Sequence, residues 1–278
     1  DVSQRQLMNN YIEELLEKIG LRTKPRLGMA FAGGGAKGFS HIGVLQAFEQ
    51  FGMRPQIVSG VSAGSIAGAL YASGLSPADM IECFAASSSF TDFSQWVLPK
   101  EGFFRLNRFA RLLESWLPVK YLEETEIPLV VCATNLEKGT SVGWCKGEIV
   151  PRVIASCSIP IIFNPVKING FHYVDGGVLR NLPAWAIRDF CKILIGSNCS
   201  PLDRSYSYKQ NILDVAMRTY TLMSKANVLQ DINLCDYVVM PKHISNTKTF
   251  DLTSLRKNVG YGYDAACVVI EEMLKKNK

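Results

Sequence analysis

The sequence predicts an α/β fold whose sheet is largely parallel and covered on both faces by helices. Three observations carry that expectation. Short apolar runs of strand type alternate along the chain with segments of helical period, the pattern of a parallel sheet buried on both faces. Two strand-to-helix joints are rich in glycine, at 33–38 and 60–64, where backbones can approach without Cβ atoms between them. Hydrophobic residues make up 47% of the 278 and charged residues 20%, enough apolar material for the core of one large domain.

The elements follow in order. Leu7, Tyr11 and Leu15, with Met8, Ile12, Leu16 and Ile19 beside them, recur at helical spacing, and Gly20 follows as a stop. Residues 1–24 therefore hold an amphipathic helix expected to pack on the domain edge. LGMAFA from Leu27 reads as a buried strand, followed by a helix from about Gly38 to Gln50 that Gly52 closes. Gln56–Ser59 is a short strand, GVSAG a turn, and a helix runs through Ala72; another begins after Pro77. Residues 84–118, with aromatics from Phe84 through Phe90, Phe93 and Trp96 to Phe109 and Trp116, read in two ways. They form short helices over the core, or a lid or apolar wall beside a site.

Strand character resumes at Pro128–Thr134 and Thr140–Cys145. Pro165–Ile168 and Phe171–Val174 flank Asn169-Gly170, a two-residue hairpin signal. A helix from Pro183, a strand at Lys192–Ser197, a helix near Tyr208–Val228, a strand at Tyr237–Met240 and a helix from about Gly262 complete the chain. Neither a repeat nor a linker divides it. One domain over 1–278 is expected, with a motif-bearing core at 27–200 and a C-terminal part at 201–278.

The net charge of +5 is modest and partly terminal (Lys275, Lys276, Lys278), which gives no nucleic-acid footprint. Peripheral contact with a membrane interface is compatible with it. None of the eight cysteines forms a Cys-x-x-Cys pair, and Cys132 and Cys267 interrupt apolar runs. Free thiols in a reducing compartment are expected, hence a cytoplasmic or peripheral-membrane location. The chain starts at Asp1, which leaves a removed signal segment open. No apolar stretch is long enough to span a bilayer.

Three sites carry chemistry. Gly60-Val61-Ser62-Ala63-Gly64 fits the G-x-S-x-G elbow, with a strand before it and a helix after. Gly33-Gly34-Gly35-Ala36-Lys37-Gly38 fits G-x-G-x-x-G, which alone suggests a dinucleotide site. That site wants an acid at the end of the second strand; here the chain reads Arg54 to Gly60 and then the serine. An oxyanion hole of glycine N–H groups is the better use of the loop. Lys37 either attracts anionic headgroups or is a surface lysine at the loop. Asp175-Gly176-Gly177, ordinarily a turn, stands with an elbow and a donor loop that lack only a base. His41 and His172 read as structural, whereas His243 follows Ser62 and Asp175 in hydrolase order and leaves a triad open.

GGGAKG, GVSAG, ASCSIPIIFNPV and the hairpin-borne DGG, in this order from about Leu27 to Leu182, resemble the patatin-like phospholipases. The resemblance implies a three-layer α/β/α sandwich with a mostly parallel sheet. It assigns Ser62 as nucleophile, Asp175 as proton acceptor, and backbone N–H groups of Gly33, Gly34 and Gly35 as oxyanion donors. Lys37, Gly38, Gly60, Gly64, Gly176 and Gly177 support these motifs. It implies a lipid acyl hydrolase of phospholipase A or lysophospholipase type, with a carboxylesterase or thioesterase on the same dyad as the alternative. No metal or cofactor is expected: the sequence has neither an EF-hand loop nor a His/Glu zinc motif, so calcium independence follows.

Overall fold

The computed structural model describes residues 2–18, 20, 25–86, 102–201, 207, 211–247 and 251–276. Its centre is an eight-stranded sheet: β1 (Leu27–Phe31), β2 (Ile57–Val61), β3 (Leu129–Asn135), β4 (Thr140–Trp144), β5 (Val166–Ile168), β6 (Phe171–Asp175), β7 (Ile193–Ser197) and β8 (Tyr237–Val239). The order β3-β2-β1-β7-β8 is parallel throughout. Along one edge of β3, Leu129–Cys132 pair with β2 and Ala133–Asn135 with β6, antiparallel. β4 pairs antiparallel along the other edge. The β5–β6 hairpin turns on Asn169 and Gly170, at φ 48° and 89°, as a two-residue turn of the favoured hand requires.

Alternation along the strands supplies two layers of core. Met29, Phe31, Val58 and Val131 face one side, packed against α2 (Ser40–Gln50), α3 (Ala63–Ala72) and α9 (Leu255–Lys276). Ala30, Val61, Val130 and Leu194 face the other, against Met8, Ile12 and Leu16 of α1 (Val2–Lys18). Period-two strands between two helical faces are the three-layer arrangement that the motifs imply. The remaining helices are α4 (Pro77–Ala86), α5 (Gly102–Trp116), α6 (Ile149–Ser156), α7 (Ile212–Ala226) and α8 (Val228–Ile232). All eight cysteines are free thiols.

Two boundaries differ from the sequence reading. The last helix begins at Leu255, not Gly262. Gly262 is an interhelical contact: a Cβ there would lie 1.9 Å from Ser40 O, and one on Gly43 would lie 1.9 Å from Val259 O. The segment from Pro183 is two 3₁₀ turns, Pro183–Ala186 and Arg188–Phe190, rather than a helix. Side chains take its backbone groups: Ser59 Oγ donates to Pro183 O (2.8 Å), and Trp185 N donates to Asp231 Oδ1 (3.1 Å).

Of the aromatic stretch, Phe84 and Trp116 meet edge to face at 4.9 Å, Phe84 also meets Phe39 at 5.0 Å, and Phe109 is buried. These three serve the core. Phe90, Phe93 and Trp96 lie outside the described residues, as do the side chains of Phe103 and Phe104, and with them the lid reading.

Candidate active site

Ser62 stands between the end of β2 and the start of α3 with φ 53° and ψ −125°. A non-glycine residue holds such a conformation only where its surroundings over-determine it. The flanking glycines are part of that constraint. A Cβ on Gly60 would lie 2.3 Å from Gly64 O, and a Cβ on Gly64 would lie 2.2 Å from Phe31 O. Hydrogen bonds supply the rest. Ser62 N donates to Ser156 Oγ (2.8 Å), which in turn donates to Cys132 O (2.6 Å); Ser62 O accepts from Ser65 N (2.8 Å) and Ser65 Oγ (2.7 Å). Ser62 sits at the N-terminus of α3, where the helix dipole favours negative charge.

Ser156 is fully buried at the end of α6 and is the acceptor for the Ser62 N–H. Ser156→Ala is expected to lower stability by about 2 kcal/mol, because it leaves the buried Ser62 N–H and Cys132 carbonyl without their partner. Turnover should fall roughly tenfold with KM little changed, as for a reacting group that has lost its alignment. Thermal unfolding together with steady-state kinetics checks both effects.

Asp175 ends β6 and is fully buried. Its N–H donates to Ser158 O at 2.9 Å, and its Oδ1 accepts from Gly177 N at 2.8 Å across the 3₁₀ turn Gly176–Val178. Oδ2 lacks a hydrogen bond of regular geometry, yet the Ser62 and Tyr220 hydroxyls act on the carboxylate. Burial raises its pKa to about 6, opposed by the Ser62 hydroxyl, the Gly177 N–H and the Tyr220 hydroxyl. An acid so raised is a better proton acceptor for an alcohol than one at the ordinary value.

The glycine loop meets the elbow directly: a Cβ on Gly33 would come within 3.1 Å of Ser62 Cβ, and one on Gly38 within 2.5 Å of Ala63 Cβ. Gly33, expected as an oxyanion donor, has its N–H engaged in the structure. Its N–H is spent on Asn181 O (3.1 Å), and its carbonyl accepts from Asn181 Nδ2 (3.2 Å). The N–H groups of Gly34 and Gly35 have no acceptor among the described residues. Gly176 lies against Cys132 O and Val61, and Gly177 beneath Tyr220. Lys37 is buried, contrary to the surface reading, and its Nζ reaches Ser245 O at 3.4 Å.

The histidines separate clearly. His41 is buried, with Nδ1 2.8 Å from Ser197 Oγ and Nε2 2.8 Å from Ala32 O, and burial lowers its pKa to about 4. It is a neutral brace between strand ends. His172 pairs with Glu137 at 2.6 Å. His243 is exposed on the 3₁₀ turn Lys242–Asn246 and has no hydrogen bond to Ser62 or Asp175 among the described residues.

The sequence reading missed Ser156, Asn181, Asn227 and Tyr220. Asn227 accepts from Asn181 N (2.8 Å) and donates to Gly177 O (2.9 Å), which ties the acid's turn to the residue that holds Gly33. Ser156 falls within ASCSIPIIFNPV, where the sequence reading gave it no role; no motif spacing marks the other three. Among the described residues no group of three or more His, Cys, Asp or Glu side chains is placed to hold a metal ion.

A family model described as patatin-like phospholipase matches residues 29–187. An NTE family protein of Mycobacterium tuberculosis, itself uncharacterised, is 32% identical over 162 residues, 57% of this chain and 27% of that protein. Lysophospholipase NTE1 of Cryptococcus neoformans is 27% identical over 250 residues, 78% of this chain and 15% of that protein. The chain thus spans well under half the length of these curated relatives. The crystal structure of VipD from Legionella pneumophila covers 90% of this chain and 67% of its own, with a TM-score of 0.52 and 15% identity, a likeness of fold alone.

Proposed function

Because the chain belongs to the patatin-like phospholipase family, we propose that it hydrolyses acyl esters of lipids by a Ser62–Asp175 dyad. One observation carries the reading: a strained serine at φ 53° faces a fully buried carboxylate, beside a loop whose Gly34 and Gly35 N–H groups have no acceptor among the described residues. Ser62 Oγ attacks the ester carbonyl as Asp175 takes its proton, and the loop N–H groups receive the oxyanion. The carbon–oxygen bond then breaks, the leaving alcohol or lysolipid takes the proton, and an acyl-serine remains. Water, deprotonated by Asp175, releases the fatty acid and restores Ser62.

A relative bearing the name lysophospholipase makes lysophospholipid the first substrate to examine. The panel compares lysophospholipid, diacyl phospholipid, acylglycerol and acyl-thioester at matched chain length. Release of fatty acid from a glycerolipid, faster than from the thioester, supports the reading. A thioester preferred over every oxygen ester overturns the lipid part of it.

The same reading extends to the setting. β8 and α9 complete the sheet and its cover, which supports residues 1–278 as one acyl-hydrolase domain. Among the described residues no helix is long and apolar enough to cross a membrane. The exposed Ile161, at φ 75°, and the exposed Ile212 support a peripheral contact with a lipid surface. The free thiols support a reducing compartment.

A further inference from the structure

We propose that Tyr220 is a positioning residue, whose phenol clamps the Asp175 carboxylate in the orientation from which it takes the Ser62 proton. The inference rests on the dyad proposed above and adds the group that governs its base. The geometry begins at Gly177. The point that a Cβ would occupy there lies 2.6 Å from Tyr220 Oη, 2.9 Å from Asn181 Oδ1 and 3.1 Å from Asp175 Oδ1. The missing side chain of Gly177 is therefore the space through which the phenol reaches the carboxylate.

The helix that carries Tyr220 is fixed to the turn that carries Asp175. Asn227, at the end of α7, holds both Asn181 N and Gly177 O. One residue group further on, Asp231 of α8 receives Nε and Nη2 of Arg180, both at 2.7 Å, in a two-pronged pair. So the phenol approaches a carboxylate whose backbone is anchored to the phenol's own helix. Oδ1 is already held by Gly177 N. A second donor from α7 would restrict the rotation of the carboxylate that faces Ser62.

The groups that act on Asp175 are few. Ser62 lies on the elbow, Gly177 N on its own turn, Tyr220 on α7, and the Cys157 thiol at the end of α6. No charged side chain is among them. Burial pushes the Cys157 thiol up, and burial with the nearby carboxylate pushes the Tyr220 phenol well above its ordinary value. A phenol pushed up in this way keeps its proton, which it can donate to the charged form of Asp175. Removing a donor to the charged form raises an acid's pKa.

The test is the pH profile of kcat/KM for a p-nitrophenyl acyl ester, whose acid limb reports the base of the free enzyme. Wild type should turn near pH 6. Tyr220→Phe should move that limb upward by roughly one pH unit, the scale of a hydrogen bond to a charged group. Tyr220→3-fluorotyrosine, isosteric and a stronger donor, should move it downward by a few tenths of a unit, roughly. Opposite shifts are outside the reach of a residue that only fills space. An unmoved limb in folded Tyr220→Phe overturns the proposal; should that variant not fold, an unmoved limb in the fluorinated protein does so. Asp175→Asn separates the two layers. Activity retained there overturns the dyad itself, whereas activity lost there with an unmoved limb in the Tyr220 variants overturns the role of Tyr220 alone.

Discussion

Asp175→Asn should cut turnover of an acyl ester by about 10³- to 10⁴-fold, the scale of losing a general base, while the protein stays folded. The chemistry and the stability move in opposite directions at this residue. The folded carboxyl holds its proton up to about pH 6, against 3.8 for the free side chain. As pH rises from about 4 to about 6 the unfolded chain ionises first, so folding loses stability through that window, on the order of 2–3 kcal/mol. Above it the buried charge opposes folding in full. Asparagine keeps an oxygen for Gly177 N and carries no charge. The variant should therefore melt no lower than wild type at pH 7–8, and the difference should shrink toward pH 4. Calorimetry across pH, run beside ester kinetics, checks both halves. An inactive variant that has also lost several degrees at neutral pH would contradict the assignment of Asp175 as a strained, reactive carboxylate.

Gly64→Ala should have the largest structural effect. The new methyl would sit 2.2 Å from Phe31 O and 2.7 Å from Ala32 O. Both are backbone atoms at the end of β1, so no rotamer change relieves the clash. Either α3 lifts from the sheet or β1 shifts, at a cost of about 3 kcal/mol or more. Either movement opens the φ 53° conformation of Ser62 and with it the attack geometry. Gly260→Ala is the matched control. Nothing lies within 4 Å of its Cβ position, and it is exposed within α9. There the substitution should stabilise by up to about 1 kcal/mol through helix propensity. Denaturant midpoints of the pair distinguish a packing effect from a generic glycine effect.

The contrast between those two glycines also explains which features could be read from the sequence. Gly60 and Gly64 stand where neighbouring backbone leaves no room for a Cβ, and Ser62 lies between them at fixed spacing, which leaves a motif; Asp175 is marked by the two glycines that follow it. The buried strand runs, the Asn169-Gly170 turn and the amphipathic N-terminal helix were legible for the same reason: local period and turn chemistry carry them. Gly262 misled because a glycine in a helical stretch reads as a weak point, whereas here it lets α9 cross α2 backbone to backbone. Pro183 misled because the carbonyl and amide groups that would build a helix are held by Ser59 and Asp231, distant in sequence. Lys37 read as a surface residue because its partner, Ser245 O, is supplied from beyond residue 200.

Ser156, Asn181, Asn227 and Tyr220 belong to the same class. Each meets a neighbour that only the folded sheet brings near; Ser156 stands inside ASCSIPIIFNPV, and the other three lie outside the four quoted motifs. The motif residues were thus legible and most of their supports were not. Asn181 illustrates that gap: its carbonyl engages Gly33 N, which leaves Gly34 and Gly35 as the loop N–H groups proposed for the oxyanion.

The central claim is that Ser62 is a nucleophile made reactive by Asp175 without a histidine. Its most direct test is reaction with a fluorophosphonate probe at neutral pH, followed by peptide mass mapping of wild type, Asp175→Asn and His243→Ala. A single adduct on Ser62 is expected, formed at the wild-type rate in His243→Ala and slowed by at least about 10³-fold in Asp175→Asn. An adduct on another residue, or labelling that depends on His243 and not on Asp175, would contradict it.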